Sequence, residues 1–483
     1  METRPVRAAS DQRGRLSRRN FLLLTVFGVG GAAAASLLSA CQQPSSGGPA
    51  IPGGQAQPGG TAAPAAQPGG ATAAPAQASG GRPLTPTFYS WIPDIHPAVK
   101  TVTSDFSQKS PVNLQIAPVQ GFGIDRFVAE AKDQNSTWDI YVGMTPFVEM
   151  SQLVAADVIE PWDNYMPKEV LDDILPAIRD ECSLNGKVYT WPFLLDITGM
   201  GVNTELTSKA GTNDQPTIWD DYLANGKKII DSKVAPYGVT FDAHGWRSLA
   251  PFTHSLSTQV YTSDNLFDFT SDPAIQALQL MKQMKDLSGP DVLNPGNTDN
   301  GVNDTPDENQ FATRKVAYYT KYQNAPMRAA NTWPDPSKLK LGPLPKFPNG
   351  EGGTVFWDTG AALFKYGKNK EQAAEYLKAL TYDERIWQES IGGGRAATGH
   401  LPPYSSLWDK WKSNRPSWMQ DYALQVFDQL KVSKAIPNHK FGLTQFVIGQ
   451  PHWEKYLKGE TNDPKAAMQE VKDAIQAEMR KTG

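Results

Sequence analysis

Thr87-Phe88-Tyr89-Ser90-Trp91, Val112-Asn113-Leu114-Gln115-Ile116 and Trp138-Asp139-Ile140-Tyr141-Val142-Gly143 are three short runs rich in aromatic and β-branched residues. What separates them decides the fold class. Val112 to Ile116 alternates with period two, as a strand with one face in a core does. After the first run comes a Pro-containing stretch, Pro93 to Pro97, read as a loop, and then Val99 to Gln108, read as a helix. A helix through Arg126–Lys132 separates the second run from the third. A β–α–β–α–β succession is the mark of an α/β sheet.

Towards the C-terminus, helices announce their starts. Asp272-Pro273 sets a capping residue before a Pro at the first helical position. Ile275, Leu278, Met281 and Met284 then form an apolar stripe. Asn369 is placed to cap another helix, whose Ala373, Tyr376, Leu377 and Leu380 share one face. Asp463-Pro464 opens a terminal helix with Met468, Val471, Ile475 and Met479 turned inward. Such stripes are core packing and carry no function.

Towards the N-terminus the chain reads as an address. Residues 1–20 hold six Arg against Glu2 and Asp11; an apolar, Gly- and Ala-rich stretch follows from Phe21 to Ala40, and then Cys41. A basic segment, an apolar core and small residues at a processing site make a secretory signal. Ser17-Arg18-Arg19-Asn20-Phe21-Leu22 resembles a twin-arginine signal, which exports folded proteins, with ordinary export as the alternative. Leu38-Ser39-Ala40-Cys41 resembles a bacterial lipobox, in which Cys41 would be lipidated and become the new N-terminus. An uncleaved membrane helix is the alternative, since ~20 apolar residues suffice to span a bilayer. Residues 42–83 are almost wholly Gln, Pro, Gly, Ala, Ser and Thr, with Arg82 the one charge. So little apolar surface cannot offset the entropy of ordering, and the segment reads as a disordered linker with a span of about 35 Å.

The remaining 400 residues exceed one small domain, and two lobes are the natural expectation. Beyond Cys41 the chain has 40 basic and 48 acidic residues, a net charge of −8, which argues against nucleic acid and against a polybasic membrane patch. With Cys41 lipidated, Cys182 has no partner within the chain, so neither a disulfide nor a Cys-based zinc site is expected. No cofactor and no metal is expected either. Asn294 to Asn309 is dense in Asn and Asp but lacks EF-hand spacing, and reads as a turn-rich surface loop. Gly392-Gly393-Gly394-Arg395 lacks the Lys-Ser/Thr of a phosphate loop.

Four stretches together resemble the bacterial extracellular solute-binding proteins of the maltose-binding type. They are Leu153 to Trp162 with Tyr165-Met166-Pro167; Asn185 to Phe193 running on to Gly201-Val202-Asn203-Thr204; Phe311 to Tyr318; and Gly360-Ala361-Ala362-Leu363-Phe364 with Lys370 to Thr381. Their order and spacing extend over nearly all of residues 84–483. The resemblance implies an α/β, two-lobe periplasmic-binding-protein-like fold of type II, with the ligand cleft between lobes. Lobe 1 would take 84–195 plus 359–402, and lobe 2 would take 196–356 plus 404–483. Crossover strands would lie near Phe193–Ile197, Phe356–Asp358 and Leu401–Tyr404. It also implies capture of a small solute, most simply a sugar or oligosaccharide, by closure of the lobes, followed by delivery to an ABC transporter permease.

Sugars present an apolar C–H face and a rim of hydroxyls, so aromatic side chains beside carboxylates and Arg are the candidates. These are Trp91, just past the first strand where this family lines its cleft; Asp139, at the third strand; Trp191 and Asp196, flanking the first crossover; and His244, Trp246 and Arg247, after a strand read at Tyr237–Phe241. Tyr319 and Tyr322, at the end of the strand beginning at Val316, Trp357 and Asp358 on the second crossover, and Arg395 complete the set. A glycoside hydrolase is the competing class, since two facing carboxyl groups leave no spacing signature. The Gly-x-Ser-x-Gly elbow and the His-Glu-x-x-His zinc pair are both missing. A binding protein feeding a sensor is the other rival.

Overall fold

The computed structural model describes residues 82–117, 124–296, 304–392 and 398–482. The expected signal, Cys41, nearly all of the linker, and Arg395 lie outside the described residues. Residues 77–475 form one unit. Of the other unit, the described part is the final stretch of the terminal helix, from Gln476 onward.

The three opening runs form β1 (Pro86–Tyr89), β2 (Gln115–Ala117) and β3 (Ile140–Met144). The helices α1 (Trp91–Ile95) and α2 (Ala98–Ser107) lie between β1 and β2, and α3 (Ile124–Lys132) follows β2. The loop expected from Pro93 to Pro97 is therefore mostly helix. Pro93 is the third residue of α1, where a missing N–H costs nothing because first-turn donors have no intrahelical partner. β2 and β3 both pair parallel to β1, as the βαβ pattern requires.

The organising element is β7 (Thr190–Asn203), every residue of which is buried. Among the described residues the main sheet runs β2-β1-β3-β11-β7-β9-β8, with β8 at Val239–Phe241, β9 at Tyr318–Tyr322 and β11 at Phe356–Phe364. β4 (Ile159–Glu160) adds to β11 and β10 (Leu339–Gly342) to β7, while β5 (Ser183–Leu184) and β6 (Lys187–Val188) form a separate hairpin. β7 exchanges partners midway. From Thr190 to Ile197 it pairs with β11, and from Thr198 to Val202 with β9. The β11 register shifts between Thr359 and Ala361, opposite Pro192, which has no N–H to give the ladder. Leu195 also exchanges two backbone hydrogen bonds with Leu401, at 3.0 and 2.9 Å. The three stretches expected as crossovers thus lie side by side.

The helices used below are α4 (Trp246–Leu256), α5 (Asp272–Asp286), α6 (Asn324–Ala330), α7 (Lys370–Thr381) and α8 (Pro464–Thr482). The α7 stripe of Ala373, Tyr376, Leu377 and Leu380 is fully buried. Met468, Val471 and Ile475 of α8 are buried too, whereas Met479 is half-buried. Ser271, rather than Asp272, caps α5 through a side-chain bond to the Ala274 amide. Asn369 makes no side-chain cap for α7; its amide donates to Asp139 instead. The strand expected at Tyr237–Phe241 begins at Val239. The segment read as a surface loop to Asn309 turns helical at Pro306–Ala312, with Asp307 buried. Cys182 is buried and free, and burial pushes its thiol up.

Candidate functional site

Strand periodicity sorts the site. Trp357 pairs directly with Asp196, and Tyr322 pairs with Thr198, two residues on from Asp196. Directly opposed residues share a face, as do residues two apart on a strand. Asp196, Trp357 and Tyr322 therefore look out on one side where β7 changes partners. Trp357 stands edge to face with Tyr322, ring centroids 5.7 Å apart at 87°, and with Trp246 at the start of α4, 4.9 Å apart at 80°. Phe147, from a π-helical turn at Pro146–Met150 after β3, closes on the far side of Trp246 at 5.3 Å and 87°. Edge-to-face rings of this kind hold one another's orientation.

An ionic frame adjoins the aromatic group. Lys321, 3% exposed, donates to Asp307 at 2.8 Å and lies 2.9 Å from Asp242. Tyr319 donates to the same Asp307 carboxylate at 2.6 Å. Asp242 accepts from the His244 amide at 3.0 Å, has the His244 ring at 3.3 Å, and faces the Arg247 guanidinium at 3.6 Å. Arg328 grips Glu308 with two bonds of 2.7 and 2.6 Å. Burial works against ionised Asp242, but Lys321 and then Arg247 overcome it and hold the carboxyl well below its ordinary range. Burial likewise works against protonated Lys321 and is overcome by Asp242 and Asp307, which raise it.

A third group surrounds His400, which is fully buried. Trp91 stacks on its ring, centroids 5.7 Å apart at 30°. Its Nδ1 lies 3.1 Å from His96 Nε2 and 2.9 Å from the Thr398 hydroxyl. Its Nε2 lies 3.3 Å from the Asn324 amide nitrogen and 3.4 Å from Asp196 Oδ2. Asp196 Oδ1 is buried with no hydrogen-bond partner among the described residues. Beside it Gln323 ties three segments together: it accepts from the Ile197 amide at 2.8 Å and donates to the carbonyls of Leu195 at 3.3 Å and Gly399 at 3.1 Å.

The structure thus brings together Trp246, Trp357, Tyr322 and Asp196, sets Trp91 beside Asp196 through His400, and sets His244 and Arg247 on Asp242. Four expectations need correction. Asp139 precedes β3 at its N-terminal end, fully buried, and accepts from Thr85, Lys368 and Asn369; it ties loops together. Trp191 is a core residue, fully buried against Trp162 at 5.3 Å. Asp358 falls on the opposite face from Trp357, where its carboxylate accepts from the Phe193 amide and its own amide donates to Glu181. Burial, and then the approach of the two carboxyls, raises Glu181 well above its ordinary range. Tyr319 alternates away from Tyr322 and is spent on Asp307.

Sequence reasoning missed Phe147, Asp242, Asp307, Lys321, Gln323 and His400. Only Asp307 carried a local signal, the Thr305-Pro306 helix start read instead as loop.

A family model described as bacterial extracellular solute-binding protein matches residues 120–384, more than half of the chain. A Brucella abortus (strain 2308) protein, provisionally named a binding protein, is 26% identical over 307 residues, which cover 62% of this chain and 68% of that protein. The GacH receptor of Streptomyces glaucescens, solved without ligand and with acarbose, superposes with a TM-score of 0.65 at 16% identity, over 83% of this chain and 99% of that one. The cyclic α-maltosyl-1,6-maltose binding protein of Arthrobacter globiformis gives 0.64 at 20% identity, over 83% and 100%. The sugar-binding protein MalE of Xanthomonas citri gives 0.65 at 19%, over 82% and 98%. These likenesses establish the two-lobe fold of the periplasmic binding type.

Proposed function

The chain belongs to the bacterial extracellular solute-binding proteins, and we propose that it captures a neutral carbohydrate outside the cytoplasm and hands it to an ABC transporter permease. On this reading the lobes are 84–195 plus 359–402 and 196–356 plus 404–483, hinged where β7, β11 and the Leu401 segment run together. The first 41 residues are its export signal, Cys41 its lipid anchor, and residues 42–83 the tether that lifts it clear of the membrane.

The observation that carries the reading is the aromatic group of Tyr322, Trp357 and Trp246 on the same side of the sheet as the Asp196 carboxylate. Aromatic faces suit the C–H face of a sugar ring, and a carboxylate with an unsatisfied oxygen suits its hydroxyls. Neutrality of the solute follows from the frame. Lys321, Arg247 and Arg328 each already face a carboxylate, so none of these three is left for an anionic ligand. The relatives whose names mention acarbose, cyclic maltosyl-maltose or another sugar are compatible with this choice.

Thermal shift against a panel of neutral sugars, uronates and sugar phosphates tests it, because a ligand of the native state alone raises stability by RT ln(1 + [L]/Kd). Neutral sugars should raise the melting temperature and charged ones should not. A shift from uronates or phosphates alone would overturn the neutral assignment, and products released from oligosaccharides would overturn the binding role itself.

A further inference from the structure

Trp246 touches two rings of different origin. Trp357 comes from β11, in the centre of the sheet; Phe147 comes from the turn after β3 and meets the indole edge to face, centroids 5.3 Å apart at 87°. With both in place Trp246 is 6% exposed, and Phe147 itself 3%. A pyranose stacks by laying its C–H face over an aromatic face, and so little open indole cannot receive one. Tyr322 and Trp91, by contrast, are half-buried and keep ring surface open.

The turn that carries Phe147 is braced. It runs as a π-helical turn over Pro146–Met150, and the Val148 and Glu149 amides both donate to the Thr145 carbonyl at 3.1 Å. Two residues past Phe147, the buried Glu149 carboxyl accepts from Tyr89 of β1 at 2.8 Å and from Tyr141 of β3 at 3.3 Å. From another part of the chain Gly442 packs so close that a Cβ there would stand 2.8 Å from the Phe147 carbonyl oxygen. A backbone fixed by both strands and by Gly442, and a ring packed in place, leave Phe147 no room to retreat.

We propose that Phe147 sets the length of the solute: it holds the place beside Trp246 that a further sugar ring would take, and confines capture to a single ring at Tyr322, Trp91 and the Asp196 carboxylate. It is a specificity-determining residue that acts by exclusion, because the space it fills is lined by an indole that could otherwise stack on a sugar. This rests on the reading that the aromatic group meets a carbohydrate.

Calorimetric titration of the parent and of Phe147→Ala tests it, with glucose, mannose, galactose and xylose against maltose, maltotriose, cellobiose and cellotriose. In the parent, affinity should not rise from one ring to three. Phe147→Ala should bind the di- and trisaccharides about tenfold more tightly, the worth of one more stacked ring, and leave the monosaccharides within about twofold. Phe147→Leu keeps apolar bulk at the position and should show a smaller gain of the same sign; it carries the test if the alanine variant does not fold. A parent that prefers three rings to one, or a variant whose affinity changes equally at every length, overturns the proposal. Acrylamide quenching reads the shielding without any sugar, as the difference in emission between each protein and its Trp246→Phe counterpart. That difference should be poorly quenched in the parent and well quenched in Phe147→Ala. Sugar bound with Trp246 no more accessible in the variant overturns the exclusion. A newly accessible Trp246 with no sugar bound by either protein sinks the carbohydrate reading instead and leaves the shielding standing.

Discussion

Trp246 meets Trp357 edge to face, with ring centroids 4.9 Å apart at 80°. One ring opens a helix and the other lies in a central strand, and Phe147 and Tyr322 extend the contact on either side. The wall proposed to face the solute and the packing that holds it are therefore the same atoms.

That double duty predicts a split result from mutation. Trp357 is 9% exposed, so Trp357→Ala should cost about 3–5 kcal/mol of folding stability and also remove the sugar-induced thermal shift. Trp91 is only half-buried, so Trp91→Ala should weaken the shift at smaller cost in the unliganded protein. Denaturant unfolding with and without sugar separates the two effects; an unchanged shift in both variants would place the cleft elsewhere.

Lys321 lies between two buried carboxylates. Lys321→Met leaves Asp242 with Arg247 and takes the buried ammonium from Asp307, and should cost about 3–5 kcal/mol. Adding Asp242→Asn and Asp307→Asn should recover most of that loss, because the penalty lies in the stranded charges. Urea unfolding of the single and triple variants measures it, and a triple variant no better than the single one would refute the account.

Glu149 gives a pH signature. Its carboxyl is buried and accepts from Tyr89 at 2.8 Å, from Tyr141 at 3.3 Å and from the Thr145 amide at 3.2 Å, with no cation among these partners. Burial pushes it up to about 7 despite these donors. A folded value above the unfolded one means the contribution is fully present below the ordinary carboxylate range and is lost as pH rises through about 7. Between pH 4.5 and 8 the loss is on the order of 3 kcal/mol. Unfolding free energies should fall with rising pH in the parent and stay level in Glu149→Gln, relative to each other; parallel profiles would show that Glu149 ionises without penalty.

Legibility in the sequence followed physical range. Period-two runs, Pro after a cap, and apolar stripes are local, and they gave the α/β class and most helices, with errors of a residue or two at Ser271 and Val239. Single aromatic residues were legible as candidates because their size makes them matter wherever they fall. Their facing was not, since it depends on pairing: Trp357 and Asp358 are adjacent in sequence, and only the ladder with β7 puts one against Trp246 and Tyr322 and the other against Glu181. Asp139 has the composition of a site residue and the position of a brace. Lys321 and His400 had no local mark, because each acquires its meaning from partners brought by β8, β7 and distant helices.

Gln323 is the last such residue, and it bears on movement. Its one side chain satisfies the Ile197 amide and the carbonyls of Leu195 and Gly399, all of them on the segments that would flex when the lobes part. Gln323→Leu keeps the volume and strands two buried backbone groups, the Ile197 amide and the Gly399 carbonyl, each worth about 1–3 kcal/mol if left unsatisfied, while the Leu195 carbonyl keeps the Leu401 amide. Opening the hinge lets water reach those groups, so the variant should relieve its cost by favouring the open form. The expected outcome is a larger radius of gyration by small-angle scattering in Gln323→Leu, recovered in part by saturating sugar, together with weaker sugar binding. A variant that loses stability yet keeps the parent's scattering profile and affinity would show that Gln323 braces the sheet without setting the hinge.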